Sequence, residues 1–191
     1  MSSSNAILEF WFGGEEPQRF RPEWFNGGEA FDQEIARRFQ MEIGQALSSG
    51  LDGWDGMPRS ALALVLLLDQ FPRNAYRGTP LAFAGDIRAQ EVTLMGLERG
   101  YQQRFTPLER LFFYLPLEHA ENLALQDRSV ELMRQLEAEA PELAKAQLAD
   151  YAERHRDVIA RFGRFPHRNE ILGRDSTPEE FQFLAEPGSS F

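Results

Sequence analysis

Residues Ala61 to Leu68 run Ala-Leu-Ala-Leu-Val-Leu-Leu-Leu, apolar around the whole circumference of a helix. Such a segment offers no face to water, so other elements must pack on several of its sides. It is far too short to cross a bilayer, which takes about 20 residues. It is read as the central helix of a globular protein, and a chain of 191 residues fits one domain over 1–191.

The rest of the chain agrees with a helical centre. Val, Ile and Thr total 14, against 23 Leu, 20 Ala and 21 Glu. β-Branched side chains favour strands, whereas straight-chain residues and Ala lose little freedom in a helix. No stretch alternates with period two between hairpin turns. The fold is therefore predicted to be all-α, with about eight helices near 4–11, 29–48, 58–70, 82–99, 107–115, 117–139, 142–162 and 178–185. Thr106-Pro107-Leu108-Glu109 and Thr177-Pro178-Glu179-Glu180 each place a capping hydroxyl, a proline at N1 and a carboxylate at N3. Thr79-Pro80 begins similarly, with Gly85 and Asp86 delaying the start. Gly50, Gly100 and Gly163 mark the stops. Short connections imply antiparallel helix hairpins, stacked together. Pro72, Pro107 and Pro141 are spaced near the 34-residue period of tetratricopeptide-type pairs. Trp11, Trp24, Phe25 and Trp54 are read as plugs at the edge of the core.

The net charge of −10 argues against nucleic acid, because phosphate neutralisation needs a basic surface. Cysteine is absent, which removes disulfides, thiolate nucleophiles and cysteine zinc sites together. No leader or membrane segment is read, so the expectation is a cytoplasmic protein without a membrane partner.

Three polar stretches fall where apolar helix ends should pack. In Asp69-Gln70-Phe71-Pro72-Arg73-Asn74, Pro72 is expected to stop the buried helix by driving Phe71 out of the α region. Asp69, Arg73 and Asn74 then sit at its end, where charges must be paired or face a cleft. Arg73 either ties the fold to a carboxylate or clamps an anionic ligand. In Tyr114-Leu115-Pro116-Leu117-Glu118-His119-Ala120-Glu121-Asn122, Pro116 is read as a restart. Glu118 and His119 then enter the first turn of the next helix, whose positive end favours carboxylates. Glu118, Glu121 and Asn122 share a face, and His119 points elsewhere, in line with Leu115 and Leu123. A carboxylate pair beside an imidazole suits acid–base work, with His119 or His167 as base and Glu118 orienting it. The spacing matches neither zinc nor di-iron patterns, so no metal and no cofactor is assigned. The third stretch follows His155, which lies on an apolar stripe between Tyr151 and Ile159 and reads as a core residue or a ligand contact. Arg161-Phe162-Gly163-Arg164-Phe165-Pro166-His167-Arg168-Asn169 belongs to a run of six Arg between 154 and 174. Phe165-Pro166-His167-Arg168-Asn169 echoes Phe71-Pro72-Arg73-Asn74 with one insertion. Two such turns brought together opposite Glu118 and Glu121 would enclose a mixed-charge cleft.

These stretches, with Ile7-Leu8-Glu9-Phe10-Trp11-Phe12-Gly13 and Leu172-Gly173-Arg174-Asp175-Ser176-Thr177-Pro178-Glu179-Glu180, resemble the hallmark segments of an uncharacterised bacterial family, domain of unknown function 924. The resemblance covers nearly the whole chain and implies an all-α, tetratricopeptide-like fold. It carries no activity across. Ala120 stands where the family pattern suggests Ser, so no serine chemistry is assigned there.

Three functions stay open. The first is a binding module that holds a small anion, a carboxylate metabolite or a peptide end through Arg73, Asn74, Asp69, Glu121, His155, Arg164, Arg168 and Asn169. The second is a hydrolase-like enzyme built on His119, Glu118 and His167. The third is a scaffold whose polar clusters only tie helix ends together. Neither the ligand nor an oligomeric state is specified.

Overall fold

The Ser3 hydroxyl accepts from the Ala6 N–H and opens the first helix. From there the structure, a computed structural model describing residues 3–14 and 20–189, is helical, with no strand among the described residues. The helices are α1 (Ser4–Phe12), α2 (Glu23–Asn26), α3 (Glu29–Leu47), α4 (Pro58–Val65), α5 (Phe71–Ala75), α6 (Asp86–Glu98), α7 (Pro107–Glu118), α8 (Leu123–Glu139), α9 (Leu148–Phe162) and α10 (Pro178–Leu184). The chain divides into two compact units, Met1–Arg77 with Leu81–Pro116, and Gly78–Pro80 with Leu117–Phe191.

In the first unit every residue from Ala61 to Pro72 is buried, as an all-apolar segment demands. α4 packs against α1 and α6, and α5 packs against α3. The helix does not stop at Pro72. It widens into a π turn over Leu66–Gln70, where the Phe71 N–H donates to the Leu66 carbonyl five residues back. Phe71 stays helical at φ −64° and ψ −40°, and α5 continues to Ala75. Inside an α-helix, proline lacks an N–H and strikes the carbonyl four residues back, here Leu68. The wider turn gives that carbonyl room. Gly85 approaches it closely: a Cβ there would lie 2.2 Å from the Leu68 oxygen. A Gly85 hydrogen therefore faces that oxygen, a weak Cα–H donor where proline offers none.

Pro116 repeats the lesson. It lies inside α7, so Glu118 ends that helix instead of opening the next one. It withholds the N–H that the Phe112 carbonyl would otherwise accept, and one residue on, the buried Thr93 hydroxyl donates to the Phe113 carbonyl at 3.0 Å. α8 starts only at Leu123, where the Asn122 side chain accepts from the Leu125 N–H at 3.2 Å. Glu118, Glu121 and Asn122 thus share no helical face, and Glu118 and His119 do not sit in a first turn.

Other boundaries shift for similar local reasons. The left-handed residue after α3 is Ser49 at φ 63°, one position before Gly50. The expected helix from 142 is a 3-10 turn over Pro141–Ala146, broken by left-handed Gln147 before α9 begins. Pro72 continues a helix while Pro107 and Pro141 open one, so their even spacing does not mark equivalent positions. In the second unit α8 and α9 form an antiparallel hairpin, clipped by Arg134 to Glu153 at 2.7 Å and Arg156 to Asp127 at 2.9 Å. Gly163, at φ 70°, closes α9 by donating to the Ile159 carbonyl.

The helix starts read from the sequence carry more than caps. Both capping boxes form, Thr106 with Glu109 and Thr177 with Glu180. α6 begins at Asp86 after a 3-10 turn over Pro80–Phe83. The first-turn carboxylates Asp86, Glu109 and Glu180 are all buried, and each is gripped by an arginine: Arg73, Arg59 and Arg164 respectively. A buried carboxylate is costly unless paired and hydrogen-bonded. These arginines meet that need.

Candidate functional site

Asp69, Arg73 and Asn74 belong to the first unit, and the remaining candidate residues to the second. Arg73 lies one turn past Asp69, the spacing at which helical side chains meet. Its Nη1 reaches the Asp69 carboxylate at 3.2 Å and the Asp69 carbonyl at 2.9 Å. Its fork closes on Asp86 at 2.7 and 3.0 Å. Asp69 is fully buried and also accepts from the Gln70 amide at 2.6 Å. Asn74 donates to the Gln70 carbonyl and accepts from Arg77, whose own fork grips Asp32. An external anion would have to displace Asp86 from the Arg73 fork.

In the second unit a similar lattice takes up Arg164, Asn169 and Glu121. Arg164 forks onto Glu180 at 2.7 and 2.8 Å, and its guanidinium holds that carboxyl down to about 2, helped by the Thr177 N–H and the Asn169 amide. Arg174 forks onto Glu121 at 2.6 and 2.9 Å and reaches the Asn169 oxygen at 2.9 Å. Glu121 also accepts from the Phe165 N–H at 2.8 Å. Although burial opposes its ionisation, Arg174 and that N–H hold its carboxyl below the ordinary range. Glu121 thus buttresses the Phe-Pro turn and does not stand beside Glu118 as a carboxylate pair.

What remains is a cluster that holds every histidine in the chain. His155 is buried on α9, and its Nδ1 lies 2.8 Å from the Tyr151 carbonyl, which makes Nδ1–H the donor. The buried Glu118 carboxylate stands 3.5 Å from the same nitrogen. The His119 ring is 6.4 Å from the His155 ring, and Phe165 meets His155 edge-on at 5.7 Å. His167 lies 5.6 Å from Phe165, and the buried Arg168 guanidinium sits over the Phe165 ring at 4.4 Å. Burial, with the positive fields of His119, Arg168 and His167, pushes His155 from 6.5 down to about 3, against the opposing pull of the Tyr151 carbonyl. His119 and His167 are half-buried and reach solvent.

Pro116 also shapes this cluster from a distance. Because α7 runs on to Glu118, that carboxylate enters at a helix C-terminus and packs on α9, and His119 follows in the turn. The Gln126 amide fastens the turn, donating to the Glu118 carbonyl at 2.6 Å and the Ala120 carbonyl at 2.8 Å. Sequence reasoning passed over Gln126, Phe165, Asp86 and Glu180 as parts of these clusters. The last two were signalled by their first-turn positions. Gln126 had no signal beyond its place on the buried face of α8. Among the described residues no three His, Asp or Glu side chains are placed to hold a metal ion, and no helix is long and apolar enough to cross a membrane.

The family described as "Bacterial protein of unknown function (DUF924)" matches residues 7–188. A solved structure of a protein of unknown function from Agrobacterium tumefaciens is similar, with 41% identity over 95% of this chain and 96% of that one, at a TM-score of 0.83. No curated protein matches the sequence.

Proposed function

We propose that this chain, which belongs to the DUF924 family of bacterial proteins of unknown function, binds a small anionic molecule at the histidine cluster of its second unit. The observation that carries the proposal is the gathering of His155, His167 and Arg168 about Phe165, with His119 and Glu118 at His155, in a chain of net charge −10. A local excess of cationic and imidazole donors in an acidic protein is relieved by an anion. The forks of Arg73, Arg164 and Arg174 are closed on carboxylates and serve the fold. The hydrolase-like alternative takes His119 or His167 as base with Glu118 orienting it, and the Glu118 carboxylate stands 3.5 Å from His155. That places the carboxylate at a buried histidine to which no proton-transfer role falls, and this favours binding.

Thermal unfolding with phosphate or succinate, against chloride at equal ionic strength, tests the reading. An anion at 100 times its dissociation constant adds about 2.7 kcal/mol to the folded state. Wild type gains this stability. Arg168→Gln and the milder His167→Gln lose it, and Arg73→Gln keeps it. No shift in wild type, or an undiminished shift in His167→Gln, overturns the proposal.

A further inference from the structure

Three phenylalanine rings of the first unit form a column from the core to the surface. Phe112 of α7 is fully buried, and Phe25 stacks on it at 6.0 Å with the planes 17° apart. Phe20 stacks on Phe25 in turn, at 5.7 Å and 17°. The outer two rings are 51% and 44% exposed, so of the expected plugs Trp24 and Phe25 only Trp24 is buried. The shelf they make is held from below. Trp24 meets Phe20 and Phe112 edge-on and donates its indole N–H to the Trp11 carbonyl at 3.0 Å. Arg21 donates to the Phe10 and Trp11 carbonyls at the end of α1, at 2.8 and 3.0 Å. Rings exposed this far present the negative faces of their π systems, over which a cation binds within about 6 Å. Elsewhere the chain covers half-buried phenylalanines with its own guanidiniums: Arg38 over Phe10, Arg73 over Phe83, and Arg161 over Phe162 and Phe183. Among the described residues no cation lies over Phe20 or Phe25.

We infer that the Phe20–Phe25 shelf docks an arginine-bearing basic segment of a partner protein, whose guanidiniums take the place over these rings that Arg38 and Arg161 take elsewhere. The surface belongs to the first unit, so the inference stands apart from the anion reading of the second. Charge selects the occupant. A chain of net charge −10 repels a second copy of itself and attracts a basic segment. Glu23, exposed in α2, follows Phe20 and precedes Phe25 in the same short stretch, and it makes no ion pair or hydrogen bond among the described residues. Its carboxylate adds to the attraction for an incoming cation. Guanidinium suits the shelf better than ammonium, because it is planar, stacks on ring faces and is more weakly hydrated. Stacking on buried Phe112 and the two bonds of Arg21 hold the shelf in place before a partner arrives, which lowers the ordering cost of binding.

Titration calorimetry with acetylated hexa-arginine amide and hexa-lysine amide tests the inference, at physiological salt where attraction to distant charges is screened. Hexa-arginine is expected to bind wild type more tightly than hexa-lysine. The double variant Phe20→Leu with Phe25→Leu keeps apolar cover over Phe112, removes both π faces and leaves the net charge alone. It should weaken hexa-arginine binding about tenfold. Phe181→Leu, which removes an exposed ring outside the shelf, should leave that binding unchanged. If circular dichroism shows the double variant unfolded, Phe20→Leu alone carries the test, since its ring stacks only on Phe25 and Trp24, and about a threefold loss is expected. Hexa-arginine that binds wild type and the Leu variants equally, or that binds none of them, overturns the inference. Hexa-lysine that binds as tightly as hexa-arginine refutes the guanidinium contact. Dimerisation of wild type that Phe20→Leu abolishes overturns it as well, because the occupant is then a second copy.

Discussion

His155 makes stability depend on pH in a window where few other groups titrate. The imidazole is buried, faces Glu118, His119, His167 and Arg168, and is held neutral with its proton affinity lowered from 6.5 to about 3. A histidine depressed in the folded state binds protons more readily once unfolded, so stability falls as pH drops below 6.5 and keeps falling until pH 3. Linkage over the interval from pH 8 to pH 5 gives a loss of about 2 kcal/mol from this one group. The stitched carboxylates Glu121 and Glu180 act later, since their depressed values contribute stability above 4.5 that is lost only as pH falls further. Urea unfolding at pH 8, 7, 6 and 5 measures the slope, and His155→Gln serves as the control. The variant is expected to lose about 2 kcal/mol less than wild type across that range, whatever its starting stability. Parallel slopes for the two proteins would refute the assignment of a buried neutral imidazole.

Other perturbations test the fold that carries the cluster. Gly85→Ala places a Cβ 2.2 Å from the Leu68 oxygen, so a loss of about 2 kcal/mol or more is expected in denaturant unfolding; a neutral result would deny the close approach. Arg73→Gln leaves buried Asp69 and Asp86 without their guanidinium and should cost about 3–5 kcal/mol, read as a drop in urea midpoint. If that variant is as stable as wild type, Arg73 is not the tie described. Thr93→Val removes the donor to the Phe113 carbonyl ahead of Pro116, for a loss of about 1 kcal/mol in the same assay.

The fold was legible because helix starts are local chemistry. Thr106-Pro107 and Thr177-Pro178 announce themselves within four residues, and their caps form as read. Leu66–Gln70 and Pro116 were not legible by the same rule. Proline's steric demand is local, but its surroundings are tertiary: a π turn with Gly85 against Leu68 in one case, and the Thr93 hydroxyl on the Phe113 carbonyl of α7 in the other. That difference moved Glu118 from a helix start to a helix end and broke up the expected Glu118–Glu121 pair. Arg73 and Arg164 were recognisable as important charges, while their partners Asp86 and Glu180 were visible only as first-turn acids. His155 could be placed on a buried stripe from its spacing to Tyr151 and Ile159. Its meeting with His119 and His167 depends on how the turn after α7 and the Phe165-Pro166 turn fold onto α9, which no local pattern encodes.

Because the chain has three histidines, all of them in the cluster, ring Cε1–H signals in a nuclear magnetic resonance titration with succinate at pH 6 report on the site directly. All three resonances are expected to move together along one saturable curve, with a common dissociation constant, and to stay still in Arg168→Gln. Resonances that do not move, or that drift separately without saturation, would contradict an anion site at Phe165.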